Sequence, residues 1–203
     1  MRILKWLLAI VALAAVAFFM FAPGVIERGT NKVERAAPWP VSARAAALHK
    51  SLVIADMHSD TLLWKRDVNA LANRGHVDVP RLEAGNVALQ VFSSVTKTPK
   101  GQNYEANSGE TDNITLLAVT QLQPVTTWDS LLERSLWHAE KLRRAEARSD
   151  GRLRIVRSGG EIDRLLADRA AGKQVTGALL SVEGLQDLEG QLSNVETLHE
   201  AGF

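Results

Sequence analysis

The chain contains no cysteine and no excess of either charge. Its 203 residues include 24 lysines and arginines against 23 aspartates and glutamates, which gives a formal net charge of +1. The absence of cysteine excludes disulfide bonds, thiolate metal ligands and cysteine nucleophiles, so any metal ion must be bound by histidine, aspartate or glutamate. The balanced charge and the lack of a basic, aromatic-rich patch argue against nucleic acid as a partner.

A long hydrophobic run occurs at the N-terminus. Arg2 and Lys5 flank it, and it is unbroken over Trp6–Ala22. A secretory signal has an apolar region of roughly 7–15 residues, whereas a membrane-spanning helix needs roughly 17–25, so this length lies nearer to a span. We predict an uncleaved signal anchor over residues 1–26, with its N-terminus in the cytoplasm, and a linker over residues 27–42. A cleaved signal peptide is the alternative.

Histidine and acidic residues follow two apolar segments that have the composition of strands. One segment leads to His58 and Asp60, and the segment Gly177–Val182 leads to Glu183. Since side chains two residues apart on a strand point the same way, His58 and Asp60 can bind one cation together, and mixed nitrogen and oxygen ligands suit Zn²⁺. Such ligands at the carboxyl ends of two strands indicate a metal site at the top of a β/α barrel. Considered alone, the His58/Asp60 pair and Glu183 are each also typical of solvated polar residues at strand ends.

Strand and helix patterns alternate along residues 43–203. A helix over residues 128–147 has apolar residues at helical spacing, and its His138 and the basic cluster Lys141–Arg144 are predicted to face solvent. The alternation predicts an α/β fold, the N-terminal portion of a (β/α)8 TIM-type barrel preceded by a transmembrane helix. A complete barrel takes about 250 residues, so we expect the C-terminal strands of the barrel to be absent from this chain.

Four ordered motifs resemble those of one enzyme family. The first is Ile54–Asp60, which ends in the His-x-Asp pair, and the second is His76–Gly85, close to a pattern H-x-D-[IL]-P-x-L-x-x-G. The third is Val87–Ser93 and the fourth is Leu179–Gly184. Together these motifs resemble the membrane (renal-type) dipeptidases, zinc peptidases of family M19, and the resemblance extends over residues 48–203.

This resemblance implies a dipeptidase whose barrel binds two zinc ions bridged by a glutamate. His58 and Asp60 match ligands of one zinc ion, and Glu183 matches the bridging carboxylate. Two cations about 3.5–4 Å apart polarise the scissile carbonyl of a dipeptide and lower the pKa of a bridging water. The family's histidine ligands for the second zinc, its substrate-polarising histidine and its acidic proton shuttle match no position here. No catalytic or substrate-binding residue is therefore assigned.

The same residues leave two other functional hypotheses open. One is a non-catalytic, membrane-tethered binding protein on a shortened barrel, in which two copies pair as a homodimer and cover the open strand edges. The other is a metal-dependent amidohydrolase that acts on non-peptide amides at the same site. In each case the part after the anchor is expected outside the cytoplasmic membrane, in the periplasm or at the cell surface. His76 is predicted to be structural and His199 to be a surface residue.

Overall fold

The computed structural model describes residues 2–35 and 38–203, which form seven helices, four strands and three 3₁₀ turns. The helices are α1 (Arg2–Thr30), α2 (Ala43–Ser51), α3 (Val79–Ala84), α4 (Ile114–Thr120), α5 (Leu131–Ala147), α6 (Gly159–Ala170) and α7 (Ser193–Ala201). The strands are β1 (Ile54–Asp56), β2 (Val87–Val95), β3 (Leu153–Ile155) and β4 (Thr176–Glu183). The 3₁₀ turns are Thr61–Leu63, Val125–Thr127 and Gln186–Leu188.

The four strands form one parallel sheet, in the order β1-β2-β4-β3. β2 pairs with β4 from Leu89 opposite Gly177 to Val95 opposite Glu183. The predicted α/β fold with a parallel sheet is therefore confirmed. Over the described residues the sheet is open, with β1 and β3 at its edges. β4 rather than β3 lies beside β2, and the chain between β2 and β3 forms α4 and the long helix α5.

The hydrophobic core lies between α5 and one face of the sheet. Ala139, Leu142 and Ala145 recur at helical spacing on α5, and all three are buried. They belong to one cluster with Phe92 of β2 and Leu180 of β4. The helix predicted over residues 128–147 begins at residue 131 in the structure, because the preceding serine caps its first turn with a side-chain hydrogen bond. This packing fixes α5 close to the carboxyl ends of β2 and β4.

Arg134 connects α5 to the long loop that follows β2. Its side chain is 1% exposed, and its Nη1 donates a hydrogen bond of 2.8 Å to Asp112 Oδ2. The remaining donors of the guanidinium bond to the carbonyl oxygens of Thr96, Thr127 and Trp128 and to Thr115 Oγ1. The loop, which the sequence marks as polar and rich in turn residues, is thus held to the core by one buried cation.

Helix α1 continues four residues beyond the predicted end of the anchor at residue 26. Its 29 residues correspond to a length of about 43 Å, against a hydrocarbon thickness of about 30 Å. By length and composition it can cross a membrane, although an N-terminal signal sequence meets the same criteria. Most of its surface is exposed, but Pro23 and Glu27 near its C-terminal end are buried.

The last turns of α1 pack against the rest of the protein. Glu27 is 2% exposed, its Oε1 lies 2.9 Å from Arg66 Nε, and its Oε2 accepts a hydrogen bond of 2.8 Å from Arg74 Nε. Asn31 O, just after the helix, accepts a hydrogen bond from Gly75 N. Ile26 joins a cluster of buried apolar side chains, Leu63, Trp64, Val95 and Ile114. The C-terminal end of α1 is therefore part of the folded domain.

Replacing Glu27 with glutamine tests this attachment. The amide keeps the shape of the side chain but removes the negative charge, so Arg66, whose side chain is 7% exposed, loses its closest counter-ion. We expect the free energy of unfolding to fall by about 2 kcal/mol, the usual range for hydrogen bonds to charged groups. Urea denaturation of the full chain in detergent measures this change. Glu196→Gln on the exposed face of α7 is the control, and an equal effect of both changes would argue against the attachment.

Candidate metal centre

His58 and Asp60 lie in the segment that follows β1. The strand ends at Asp56, so the two side chains are positioned by the irregular segment after it and not by alternation along the strand as the sequence predicted. Asp56 Oδ1 accepts a hydrogen bond from His58 N, and the carbonyl oxygen of Ser59 accepts one of 2.9 Å from Ser93 N. The second of these bonds holds the segment beside the carboxyl-terminal half of β2.

Glu183 is the last residue of β4, and it lies opposite the last residue of β2. The chain turns immediately afterwards at Gly184, whose φ of +77° is in the left-handed region. A Cβ atom at Gly184 would also collide with the side chain of Gln186. Glycine at this position therefore lets the chain leave the strand sharply, with the carboxylate of Glu183 at the sheet edge.

The structure brings the three predicted ligands together. His58 Nε2 lies 3.2 Å from Asp60 Oδ1 and 3.1 Å from Glu183 Oε2. One ligand atom from each residue falls within 4.8 Å of the others. The side chains are 52%, 39% and 50% exposed for His58, Asp60 and Glu183, so the cluster is open to solvent. Their role as metal ligands stays a prediction, but the convergence that it requires is present.

The electrostatics of this cluster suit a divalent cation. Burial, and then the neighbouring carboxylate of Glu183, raises the pKa of Asp60, and His58 only partly offsets this rise. Asp60 Oδ1 is buried and accepts no hydrogen bond. Zinc binds nitrogen and oxygen ligands at about 2.0–2.2 Å, which places tetrahedral ligand atoms about 3.3–3.6 Å apart. The two observed separations, 3.1 and 3.2 Å, are slightly shorter than these values, so a small outward shift of the side chains would place the three ligand atoms around one zinc ion.

Other histidines lie outside the cluster. His76 is exposed beside a cavity of about 170 Å³ that Asp60 also lines. His199 is exposed on α7, as predicted. His138 was predicted to face solvent, and this is wrong, because its side chain is 1% exposed. The ring lies on the face of α5 that packs against β2, next to Ala139, and apolar spacing alone does not reveal a polar residue at that position.

A buried chain of hydrogen bonds leads from His138 to the turn after Glu183. His138 Nδ1 lies 2.7 Å from Ser94 Oγ, which lies 3.1 Å from Ser135 Oγ. Ser135 Oγ donates a hydrogen bond of 2.7 Å to Asp187 Oδ2. All four side chains are at most 1% exposed. The sequence gives no signal for this set, since its members come from β2, α5 and the 3₁₀ turn Gln186–Leu188.

A second contact holds the same turn against α5. Glu189 Oε1 accepts hydrogen bonds from the backbone nitrogens of Leu131 and Leu132 and from Ser130 Oγ. These unpaired N–H groups at the start of a helix favour a carboxylate. Burial raises the pKa of Glu189, but these hydrogen bonds outweigh it and lower the pKa overall. The segment after Glu183 is therefore fixed at two points on α5.

Burial and the positive charges of Lys141 and Arg134 lower the pKa of His138 from 6.5 to about 3. Between these pH values the unfolded chain binds a proton here and the folded chain does not, so stability falls as the pH decreases. We expect this residue to lower the free energy of unfolding by about 1.4 kcal/mol for each pH unit below its ordinary pKa. Urea denaturation of the wild type and of His138→Asn across this range measures the difference. Parallel pH profiles of the two proteins would contradict it.

Histidine and carboxylate side chains that cluster where the strands of a parallel α/β sheet end are an arrangement that metallohydrolases use. Comparison with known families makes this specific. Residues 42–203 match the family described as membrane dipeptidase, peptidase family M19. Because the match covers most of the chain, the protein belongs to this family, which confirms the resemblance of the four sequence motifs.

Solved structures include one similar member of the same family. It is the crystal structure of dipeptidase AC, a metallopeptidase of family M19, with 21% sequence identity and a TM-score of 0.48. The alignment covers 75% of this chain and 41% of that chain, so this chain spans less than half the length of the solved one. No curated protein matches the chain.

Proposed function

We propose that the protein acts as a zinc-dependent dipeptidase, in which His58 and Asp60 bind one zinc ion and Glu183 bridges it to a second. The observation that carries this proposal is the convergence of these three side chains within 4.8 Å at the carboxyl ends of β1 and β4. Membership of the M19 family supports the choice of peptide substrate. Three protein ligands with an open position are also typical of catalytic zinc sites.

Bound zinc would supply Lewis-acid polarisation of the scissile carbonyl and would lower the pKa of a water molecule. The protein's own contribution is to hold the ligands in place. Glu183 would supply the anionic carboxylate that offsets the repulsion between two bound cations. The contacts of Asp187 and Glu189 with α5 keep the turn after Glu183 fixed. The half-exposed side chains of the cluster leave one side accessible to a small peptide.

We also propose the setting of this site. The parallel sheet, with its ligands at the strand ends, is consistent with part of a β/α barrel, and ligands of a two-ion site beyond these three would come from elsewhere in the assembled protein. A second copy of the chain, the predicted homodimer, is one source. Helix α1 would anchor the domain, which we place on the extracytoplasmic side of the membrane. The basic residues Arg2 and Lys5 before the apolar run support this orientation, while Arg28, Lys32 and Arg35 after the run reduce the charge bias.

Zinc-dependent hydrolysis by the full chain tests the proposal. The protein is purified in detergent, freed of metal with a chelator and titrated with zinc, and amino-acid release from a panel of dipeptides is measured. We expect hydrolysis that requires zinc and is lost in His58→Ala but kept in Glu196→Gln. N-acetylated amino acids serve as the second substrate class, and their preferential cleavage would favour an amidohydrolase. Zinc-loaded protein that cleaves neither class would contradict the enzymatic assignment.

A further inference from the structure

A cationic pocket lies between α5 and the segment that follows the 3₁₀ turn Thr61–Leu63. Its volume is about 280 Å³, several times the ~30 Å³ that one water molecule takes in the liquid. Five cationic side chains and one carboxylate line this pocket: Lys65, Arg66, Lys141, Arg144, Arg148 and Asp67. The pocket is separate from the metal centre, because none of the three candidate ligands lines it.

Carboxylates near the pocket do not balance its positive charge. Glu27 is shared between Arg66 and Arg74. Glu140 is likewise shared between Arg144 and the arginine that precedes it on α5. The carboxylate in the lining itself, Asp67, pairs with Arg148 of the same lining at 3.7 Å. Glu27 and Glu140 each serve two cations and Asp67 serves one, so the five cationic side chains of the lining keep an excess of positive charge.

Hydrogen-bond donors at the pocket are also left over. Arg66 is 7% exposed, and its Nη1 makes no hydrogen bond and lies 3.9 Å from Asp78 Oδ2, beyond hydrogen-bond distance. Lys141 Nζ has three donors, and the structure pairs them with two carbonyl oxygens, those of Leu62 and Trp64. Burial and the charge of Arg66 lower the pKa of Lys141 to about 8. An anion with several oxygen acceptors would use these donors and relieve this repulsion.

Aromatic packing holds one further cation at the pocket. The guanidinium carbon of Arg144 lies 5.4 Å from the centroid of the Trp137 ring, within the range of a cation–π contact. Both residues line the pocket. This contact limits the freedom of a side chain that is otherwise 59% exposed, so less entropy is lost when the guanidinium binds an anion.

The pocket begins beside the C-terminal end of α1. Its lining residue Arg66 pairs with Glu27, the first charged residue after the apolar run of that helix. If the apolar run spans the hydrocarbon layer, Glu27 and Arg66 lie at the level of the lipid headgroups. Anionic headgroups attract basic residues that lie next to a membrane helix.

We propose that this pocket binds a phosphate group, carried by an anionic phospholipid of the membrane that α1 crosses. The chemistry that recognises it is the cluster of arginine and lysine donors around a space that admits a tetrahedral anion, with Arg66 as the buried donor. Bound lipid would hold α5 and the segment after the 3₁₀ turn Thr61–Leu63 against the membrane surface. The inference is independent of the metal centre and of the peptide substrate.

Native mass spectrometry of the full chain in detergent tests the proposal. The wild type is incubated with equal amounts of phosphatidylglycerol and phosphatidylcholine, and the retained lipid is counted. We expect a preference for phosphatidylglycerol that falls about tenfold in Arg144→Gln/Arg148→Gln, which removes two exposed pocket charges. Arg143→Gln/Lys173→Gln is the matched control, since it removes the same charge outside the pocket and should keep the preference. An equal loss in both double variants would overturn the proposal.

A second measurement separates a lipid from a free anion. The melting temperature is compared in sodium phosphate and sodium chloride of equal ionic strength. Stabilisation of the wild type by inorganic phosphate, lost in the pocket variant and unaccompanied by a lipid preference, would assign the pocket to free phosphate and reject the lipid source. Lipid preference together with loss in the pocket variant supports the lipid. If the wild type shows neither a lipid preference nor stabilisation by phosphate, the proposal of a phosphate site is overturned.

Discussion

Replacing Glu183 with glutamine is expected to weaken zinc binding by at least about 100-fold, since loss of groups that only orient metal ligands already costs 10–100-fold. The amide is neutral and offers a single oxygen, so it can neither bridge two cations nor balance their charge. His58 and Asp60 would remain, but His58 would lose the carboxylate that lies 3.1 Å from its Nε2. Repulsion of Asp60 by Glu183 would also disappear, and the pKa of Asp60 would fall towards its ordinary value.

Competition with a chromophoric chelator at neutral pH measures this affinity in the full chain. Glu196→Gln is the matched control, because it removes the same charge from an exposed position on α7. The double variant His58→Ala/Glu183→Gln should lose little more than Glu183→Gln, since ligands of one ion act as a unit. Unchanged affinity in Glu183→Gln, or additive losses in the double variant, would show that the three side chains do not share an ion.

Arg134→Met is expected to lower the free energy of unfolding by about 3–5 kcal/mol, the range for breaking a buried ion pair by removing one partner. Asp112, 15% exposed, would keep its charge without the guanidinium 2.8 Å away. Burial raises the pKa of Asp112, but hydrogen bonds from Thr115, Arg134 and the backbone outweigh it and lower the pKa overall. Removing Arg134 therefore also shifts this pKa upwards, and the loop carbonyls lose their donors.

Urea denaturation followed by tryptophan fluorescence measures the effect. Arg143→Met is the control on the same helix, where the side chain is 47% exposed and the expected change is within about 0.5 kcal/mol. Arg134→Met/Asp112→Asn should recover part of the loss, because the uncompensated carboxylate is then absent. A loss in Arg134→Met no larger than that in the control would mean that the loop is held by its other contacts.

Local patterns predicted much of this structure. Alternating apolar and helical segments indicated the parallel α/β sheet, and apolar spacing placed α5 within a few residues of its observed bounds. The convergence of His58, Asp60 and Glu183 followed from one rule, that carboxyl ends of parallel strands meet at one edge. That rule holds even though β1 ends before His58 and the sheet order departs from the order along the chain.

The contacts that the sequence did not predict join residues that are distant from each other along the chain. Asp187 and Ser135 lie 52 residues apart, and their hydrogen bond requires the packed arrangement of β4 and α5. Glu27 and Arg74 are separated by 47 residues. From the sequence alone, a carboxylate directly after an apolar run indicates the start of a linker and gives no sign of a buried ion pair. The order of the strands depends on how long crossover connections pack, which periodicity does not encode. Such contacts and the strand order can be identified only when the packing of the helices and strands is known.

The burial of Glu27 bears on any soluble form of this protein. Proteolytic release between residues 31 and 42, or expression from residue 42 where the family match begins, would leave that carboxylate with the discarded helix. Arg66 and Arg74 would then face each other without it, next to the loop that bears His58 and Asp60. A cut before Pro23 would instead carry the carboxylate along with the released domain. Residues at the C-terminal end of α1 thus belong both to the apolar helix and to the packed interior of the folded domain.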